Sequence, residues 1–276
     1  MIRKIFILGT LCILLCLSSL PYLLGASTED YKKNNGHTWE VYDPSYFLKY
    51  KTINDIIDSA DLQCSSRINS LIYYNYIANI IRKRFYHGFS YYSMSDNPFI
   101  FLSGKFIWSD LSAIVIPEDI MKHPMAACSQ QAMVLMEIFR KKGINYRKVS
   151  FSHHYAVEGW IEGEWRYFDT DVEPQFHSDR ESLDKLISEN RFDSVYSAVF
   201  KMDDFRSATL HHTYGQVNQS PAPRAEFFHR TCFFLTSRYF LISASLLGLF
   251  FLMKPAVLRR MYLDVARVGR TREDVG

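Results

Sequence analysis

Residues 123–143, HPMAACSQQAMVLMEIFRKKG, place a cysteine where a helix is predicted to begin. After Cys128, apolar residues recur at three- and four-residue steps, and the run ends in basic residues before Gly143. This pattern predicts a helix of about 14 residues that stops at a glycine. A cysteine at a helix N-terminus lies beside unpaired backbone N–H groups and the positive end of the helix dipole, which favour thiolate over thiol. Cys128 is therefore a candidate nucleophile.

Two β segments follow this helix. Residues 144–152, INYRKVSFS, predict one strand, and residues 153–174, HHYAVEGWIEGEWRYFDTDVEP, predict a hairpin that turns at residues 162–165, EGEW. The order helix, strand, strand, strand favours antiparallel strands with the helix packed across them. We therefore expect an α+β fold.

The segments before and after the predicted helix and strands have less regular patterns. Residues 52–88 carry isoleucines at helical steps and predict two helices. Residues 89–122 are aromatic and are expected to be rich in loops, whereas residues 180–212 predict helices with loops. The nucleophile helix and its sheet are thus expected to be preceded and followed by helices.

Histidines and aspartates stand at corresponding places on the two arms of the hairpin. His153 and His154 start one strand, and Asp169 and Asp171 end the next. Opposed side chains on adjacent strands lie about 5 Å apart, so an imidazole and a carboxylate are expected to meet. Because side chains alternate along a strand, only one of the two histidines can face the thiol. The spacing puts His154 and Asp169 at similar heights on the hairpin, and His153 with Asp171 remains the alternative pair.

Residues 127–151 followed by residues 153–171 resemble the transglutaminase-like (papain-like) superfamily of cysteine proteases and transglutaminases. In that superfamily a Cys opens a helix and a Gly ends it. A His then opens a later strand, and a Trp precedes an Asp by four positions. The similarity covers about residues 120–175. It implies a transglutaminase-like core in which the nucleophile helix packs on an antiparallel sheet, with helices N-terminal to it.

Carried onto this chain, the resemblance implies a catalytic triad. Cys128 is the nucleophile and His154 the base, with Glu158 four positions after the base. Trp165 precedes Asp169, which orients the imidazole. The implied activity is acyl transfer, with hydrolysis of a peptide or amide bond preferred over transamidation. No cofactor or metal is required.

The same residues are compatible with two other functions. One is a catalytically inactive transglutaminase-like module that binds a peptide or glycan in an envelope assembly. The other is a zinc site formed from the histidines and acids of residues 153–173 (His153, His154, Asp169, Asp171 and Glu173). The substrate class expected for the enzyme is a peptide, a protein or another amide-containing component of the envelope.

Both ends of the chain carry membrane signals. Residues 1–26 join a basic start to a long apolar run, which predicts a signal peptide or an N-terminal anchor. Residues 232–253 are apolar apart from Arg238 and predict a transmembrane helix. The basic tail, residues 254–276, is then expected to be cytoplasmic. Residues 27–230, with a core at about 110–180, would form a domain in the periplasm or extracellular space.

Composition and cysteine content exclude several classes of protein. The formal net charge of +3 gives no reason to expect a nucleic acid partner. The five cysteines are too few for a disulfide scaffold, and only Cys64 and Cys128 belong to the exported domain. A single bridge between these two residues remains open.

Overall fold

A computed structural model describes residues 9–19, 39–152, 154–172, 174, 176, 180–196 and 211–246. Among these residues the helices are α1 (within 9–19), α2 (Pro44–Lys49), α3 (Ile53–Gln63), α4 (Leu71–Arg84), α5 (Pro98–Phe106), α6 (Pro117–Ile120), α7 (Cys128–Lys141), α8 (Leu183–Ser188), α9 (Phe192–Tyr196) and α10 (within 223–246). Short 3₁₀ turns occupy Ser65–Arg67 and Ser109–Ser112. The strands are β1 (Tyr146–Phe151), β2 (His154–Ile161), β3 (Glu164–Phe168) and β4 (Thr213–Tyr214).

The strands form one antiparallel sheet in the order β3-β2-β1-β4, which confirms the α+β class. The predicted hairpin joins β2 to β3 and pairs Trp160 with Trp165. Its two turn residues, Glu162 and Gly163, have φ values of 55° and 81°. Two positive φ values are typical of the turns that match the twist of a hairpin. Strand β4 was not predicted, because only two residues pair there.

Helices cover both faces of the sheet. On one face, α7 packs over β2 and joins α3 and α4 in the larger apolar core. On the other face, α8 and α9 form a smaller cluster with side chains of β1, β2 and β3, such as Phe151, Ala156 and Tyr167. The start of α7 and the ends of β1 and β3 lie at one edge of these layers, and the candidate site is there.

A glycine of β2 faces an aromatic ring of α7. A Cβ placed on Gly159 would lie 2.8 Å from Cζ of Phe139, which is inside van der Waals contact. The same ring packs against Phe168 and Tyr74, with centroid separations of 5.7 Å and 5.1 Å. The absence of a side chain at Gly159 therefore sets how deeply α7 sits on β2.

The segment that leads into α7 is held by a buried arginine. Arg84, at the end of α4, donates from Nε to the carbonyl of Tyr50 at 2.7 Å and from Nη1 to the carbonyl of His123 at 3.0 Å. It also donates to the carbonyl of Met121. Burial lowers the pKa of Arg84 to about 9, so the guanidinium stays charged at neutral pH. Two of these three carbonyls, those of Met121 and His123, lie in the segment before Cys128, so the guanidinium fixes the path of that segment.

Helix α5 lies in the segment that was expected to be loop. Asn97 caps it by accepting hydrogen bonds from the N–H groups of Phe99 and Ile100, and Pro98 occupies its first turn. Asn followed by Pro is a recognised helix start. The aromatic composition of the segment obscured that signal.

The predicted transmembrane segment is described only in part. Residues 247–253 and the tail 254–276 lie outside the described residues, as do residues 1–8 and 20–38. Helix α10 begins at residue 223 and packs on the domain through His229, whose Nε2 lies 2.8 Å from the carbonyl of Leu111. Among the residues that the structure describes, no helix combines the length and apolar character needed to cross a bilayer.

The contact between Gly159 and Phe139 yields a stability prediction. Gly159→Ala is expected to lower the free energy of unfolding by about 1–3 kcal/mol, because the new methyl group overlaps the ring and α7 must shift. Denaturant unfolding of the full chain measures the change.

A second variant tests the cause. Phe139→Leu shortens the side chain that the methyl group meets, so Gly159→Ala should cost at least about 1 kcal/mol less in that background than in the natural chain. Strictly additive effects of the two substitutions would contradict this account of how α7 is seated.

Candidate active site

Cys128 is the first residue of α7 and is 7% exposed. Gln130, in the same turn, fastens this helix start to the loops around it. Its Oε1 accepts hydrogen bonds from the N–H groups of Ser90 at 2.9 Å and Ala127 at 3.2 Å. Its Nε2 donates to the carbonyls of Ser90 at 2.9 Å and Ile114 at 2.8 Å. All four hydrogen-bonding positions of the amide are used, so the thiol has a defined location.

His154 opens β2 and faces both the thiol and a carboxylate. Its Nε2 lies 2.7 Å from Oδ2 of Asp169. Cys128 is also a hydrogen-bond partner of this imidazole, and Sγ lies within 4.8 Å of a ring nitrogen. Because Asp169 occupies Nε2, Nδ1 is left for the thiol. The ring stacks on Phe151 with a centroid separation of 6.0 Å, which limits its rotation.

The charge balance around His154 favours the imidazolium. Burial acts to lower the pKa of His154, but the charge of Asp169 and the hydrogen bonds to Asp169 and Cys128 outweigh it. The pKa of His154 is therefore raised well above its usual value of 6.5. A protonated imidazole next to a cysteine stabilises the thiolate.

Asp169 is fully buried, and both of its oxygens accept hydrogen bonds. Oδ1 accepts from the backbone N–H groups of Asp171 at 3.3 Å and Val172 at 3.1 Å. Oδ2 accepts from His154 and, at 2.9 Å, from the hydroxyl of Tyr196. A buried carboxylate with this many donors is held in one orientation.

Tyr196 extends the site onto the helices behind the sheet. Its hydroxyl lies 2.7 Å from that of Tyr167, so two buried phenols form a chain that ends at Asp169. Burial and the charge of Asp169 raise the pKa of Tyr196 well above its usual value, which keeps the hydroxyl a donor. Sequence reasoning missed this residue, because nothing in the local pattern of α9 relates it to a carboxylate in another element.

Asp171 has partners of its own. Its Oδ1 accepts a hydrogen bond from Nε2 of Gln131 at 2.9 Å, and its Oδ2 lies 2.9 Å from Nδ1 of His87. The alternative pair of Asp171 with His153 has no geometry here, since His153 lies outside the described residues. Burial raises the pKa of Asp171, although its bond with His87 opposes that rise.

His87 is a second histidine at the site that sequence reasoning did not identify. Its side chain is one-third exposed and its ring stands edge-on to Trp39, with centroids 5.3 Å apart. Its backbone N–H donates to Oε1 of Glu40 at 2.8 Å. The hydrogen bond to Asp171 raises the pKa of His87 against the effect of burial. Its sequence neighbours predict only the end of a helix, so no local signal distinguishes it.

Two other residues named by the resemblance, Glu158 and Trp165, both contact Arg147. Glu158 is buried and accepts hydrogen bonds from Nε of Arg147 and from the N–H of Leu183, both at 2.7 Å. Trp165 packs beside Trp160 and under the guanidinium of Arg147. Cys64 and Cys128 are both free thiols, so the bridge left open in the sequence is not formed.

Comparison of the chain with protein-family models, curated proteins and solved structures found no match in any of the three. The resemblance drawn from the sequence therefore remains a prediction. The arguments for function come from the geometry around Cys128.

The hydroxyl chain predicts an order of stabilities. Tyr196→Phe removes a donor from the buried carboxylate of Asp169 and should cost about 1.5–3 kcal/mol of unfolding free energy. Tyr167→Phe is the matched control, because it removes only a bond between two neutral hydroxyls and should cost about 0.5–1.5 kcal/mol. Denaturant unfolding of both full-length variants gives the comparison. Equal or reversed costs would refute the proposal that Tyr167 donates to Tyr196 and Tyr196 donates to Asp169.

Proposed function

We propose that this protein is a cysteine acyl-transfer enzyme that hydrolyses peptide or amide bonds through Cys128, His154 and Asp169. The observation that carries the proposal is the contact series from the thiol at the start of α7, through His154, to Oδ2 of Asp169 at 2.7 Å. A nucleophile, a base and a group that orients the base are the three parts such chemistry requires. A transglutaminase-like core is proposed with it.

The first half of the reaction forms a thioester. The Cys128 thiolate attacks the carbonyl carbon of the substrate, and the carbonyl π electrons move onto oxygen. Backbone N–H groups of the first turn of α7 have no partner within the helix and would stabilise that oxyanion. The imidazolium of His154 then gives its proton to the leaving nitrogen as the C–N bond breaks.

The second half regenerates the enzyme. Neutral His154 takes a proton from water as the water oxygen attacks the thioester carbonyl. Collapse of the second tetrahedral intermediate expels the Cys128 thiolate and releases a carboxylic acid. Asp169 holds the imidazole so that one nitrogen faces the thiol throughout, and its charge supports the protonated ring.

The location of the enzyme is proposed from the sequence. The apolar run that begins within α10 continues to residue 253 and is followed by basic residues. We place residues 232–253 in a membrane and residues 27–230 outside it, with a peptide, protein or other amide of the envelope as substrate. A non-catalytic module that binds such a ligand is the competing function, and the tests below separate the two.

Thiol reactivity gives the first test. In the full chain, iodoacetamide should alkylate Cys128 at least about tenfold faster at pH 6 than it alkylates Cys64, the reference thiol in the same molecule. Mass spectrometry of peptides distinguishes the two sites. His154→Ala should remove the advantage of Cys128, because the imidazolium that stabilises the thiolate is gone.

The pH profile follows from the raised pKa of His154. The imidazolium persists above pH 6.5 and is lost only as the pH rises through the raised pKa, so alkylation of Cys128 should vary little from pH 6 to that point. In His154→Ala the alkylation rate should instead climb steeply over this range, because no imidazolium stabilises the thiolate. A natural chain with the steep profile of the variant would indicate a binding module.

Turnover gives the second test. With 4-nitrophenyl acetate, the natural chain should release nitrophenolate and acetylate Cys128, whereas Cys128→Ala should do neither. Asp169→Asn should slow the release by about 10²–10⁴-fold, because the imidazole loses its orienting charge. Asp58→Asn, an exposed acid on α3, is the control and should leave the rate unchanged. Equal rates for Asp169→Asn and Asp58→Asn would remove Asp169 from the mechanism.

A further inference from the structure

Asp171 is a buried carboxylate beside the thiol for which the proposed mechanism has no use. One ligand-type atom from each of Cys128, His154 and Asp171 lies within 4.8 Å of the others, and all three residues are buried. We propose that these three side chains bind a Zn²⁺ ion, which occupies the nucleophile and inhibits acyl transfer. Metal binding stands on this geometry alone, and only the inhibition depends on the proposed function.

The donor atoms are those that zinc selects. Zn²⁺ binds thiolate sulfur, imidazole nitrogen and carboxylate oxygen in tetrahedral sites. Mg²⁺ and Ca²⁺ require oxygen ligands and would not be held by a thiolate and an imidazole. Three protein ligands would leave the fourth position for water, whereas structural zinc sites have four protein ligands.

The spacing is compatible with a small local closure. Bond lengths of about 2.0–2.3 Å at tetrahedral angles put neighbouring ligand atoms roughly 3.3–3.8 Å apart. Because its atoms all lie within 4.8 Å of one another, the cluster reaches that geometry by contracting at most about 1.5 Å. Rotations about side-chain bonds provide such a shift, and the backbone of α7 and β2 can stay in place.

The neighbouring residues hold two of the ligands in position for a metal. A metal-binding histidine almost always donates its other ring N–H to a carboxylate, a backbone carbonyl or water, and Nε2 of His154 faces Asp169 at 2.7 Å. The Asp171 carboxylate is held by Gln131 and His87, both at 2.9 Å. A carboxylate has about four acceptor sites, so these bonds leave room for a metal.

The two aspartates therefore divide the roles. Asp169 orients His154 during the reaction. In the metal complex it would accept a hydrogen bond from Nε2 of His154, the ring nitrogen that does not bind the metal. Asp171 is the ligand that only the metal complex needs. Replacing Asp171 should separate metal binding from thiol chemistry, which replacing Cys128 or His154 cannot do.

The experiment titrates the full chain with Co²⁺ as a spectroscopic substitute for Zn²⁺. A thiolate-to-cobalt charge-transfer band should appear and saturate at one Co²⁺ per chain, and Zn²⁺ should displace it. Asp171→Asn should bind Co²⁺ at least tenfold more weakly, and Cys128→Ser should lose the band. Asp58→Asn should titrate like the natural chain. Absence of the band, or equal affinity in Asp171→Asn, would overturn the metal site.

A second readout tests inhibition. Saturating Zn²⁺ should protect Cys128 from iodoacetamide and stop nitrophenolate release, and a chelator should restore both. Asp171→Asn should need at least tenfold more Zn²⁺ for the same protection. A cobalt band on a thiol that is unreactive without metal would keep the metal site and reject the enzyme. A reactive thiol without a cobalt band would reject the metal site and keep the enzyme.

Discussion

The contact between Phe139 of α7 and Gly159 of β2 sets the depth at which the helix lies on the sheet, and the candidate site depends on that depth. Phe139 is eleven residues from Cys128, about 16 Å along the helix axis. A helix needs two fixed points to have a defined axis. The ring on the glycine is one, and Gln130, with four hydrogen bonds to the surrounding loops, is the other. Together they bring the start of α7 to the start of β2, where His154 meets the thiol.

Burial makes the carboxylates of Asp169 and Asp171 depend on specific hydrogen-bond partners. Asp169 and Asp171 are two residues apart and both are buried, yet their partners are different. Asp169 accepts from His154 and Tyr196, whereas Asp171 accepts from Gln131 and His87. Charges in a dry environment interact strongly and are costly without partners. A buried imidazole between a thiol and a carboxylate, with a second carboxylate near the sulfur, is therefore suited both to acyl transfer and to binding a soft divalent ion.

Patterns with a clear period were interpreted correctly. The helix that begins at Cys128, the hairpin at Glu162 and Gly163 and the approach of His154 to Asp169 all follow from local spacing. Sequence reasoning missed elements that are very short or whose start signal lies in a segment of unusual composition. Strand β4 is two residues long, and α5 depends on a cap at Asn97 within an aromatic segment. Transmembrane character from residue 232 onward stays a prediction, because much of that run lies outside the described residues.

Local sequence was sufficient to put a thiol at a helix start and an imidazole and a carboxylate at neighbouring ends of adjacent strands, because helix and strand periods are properties of the chain over a few residues. It was not sufficient to assign the second side-chain partner of Asp169 or the partners of Asp171. Packing made that assignment: α9 brings Tyr196 to one carboxylate, and the segment after α4 brings His87 to the other. Such pairings join residues 27 and 84 positions apart, respectively, and only the folded core holds them together.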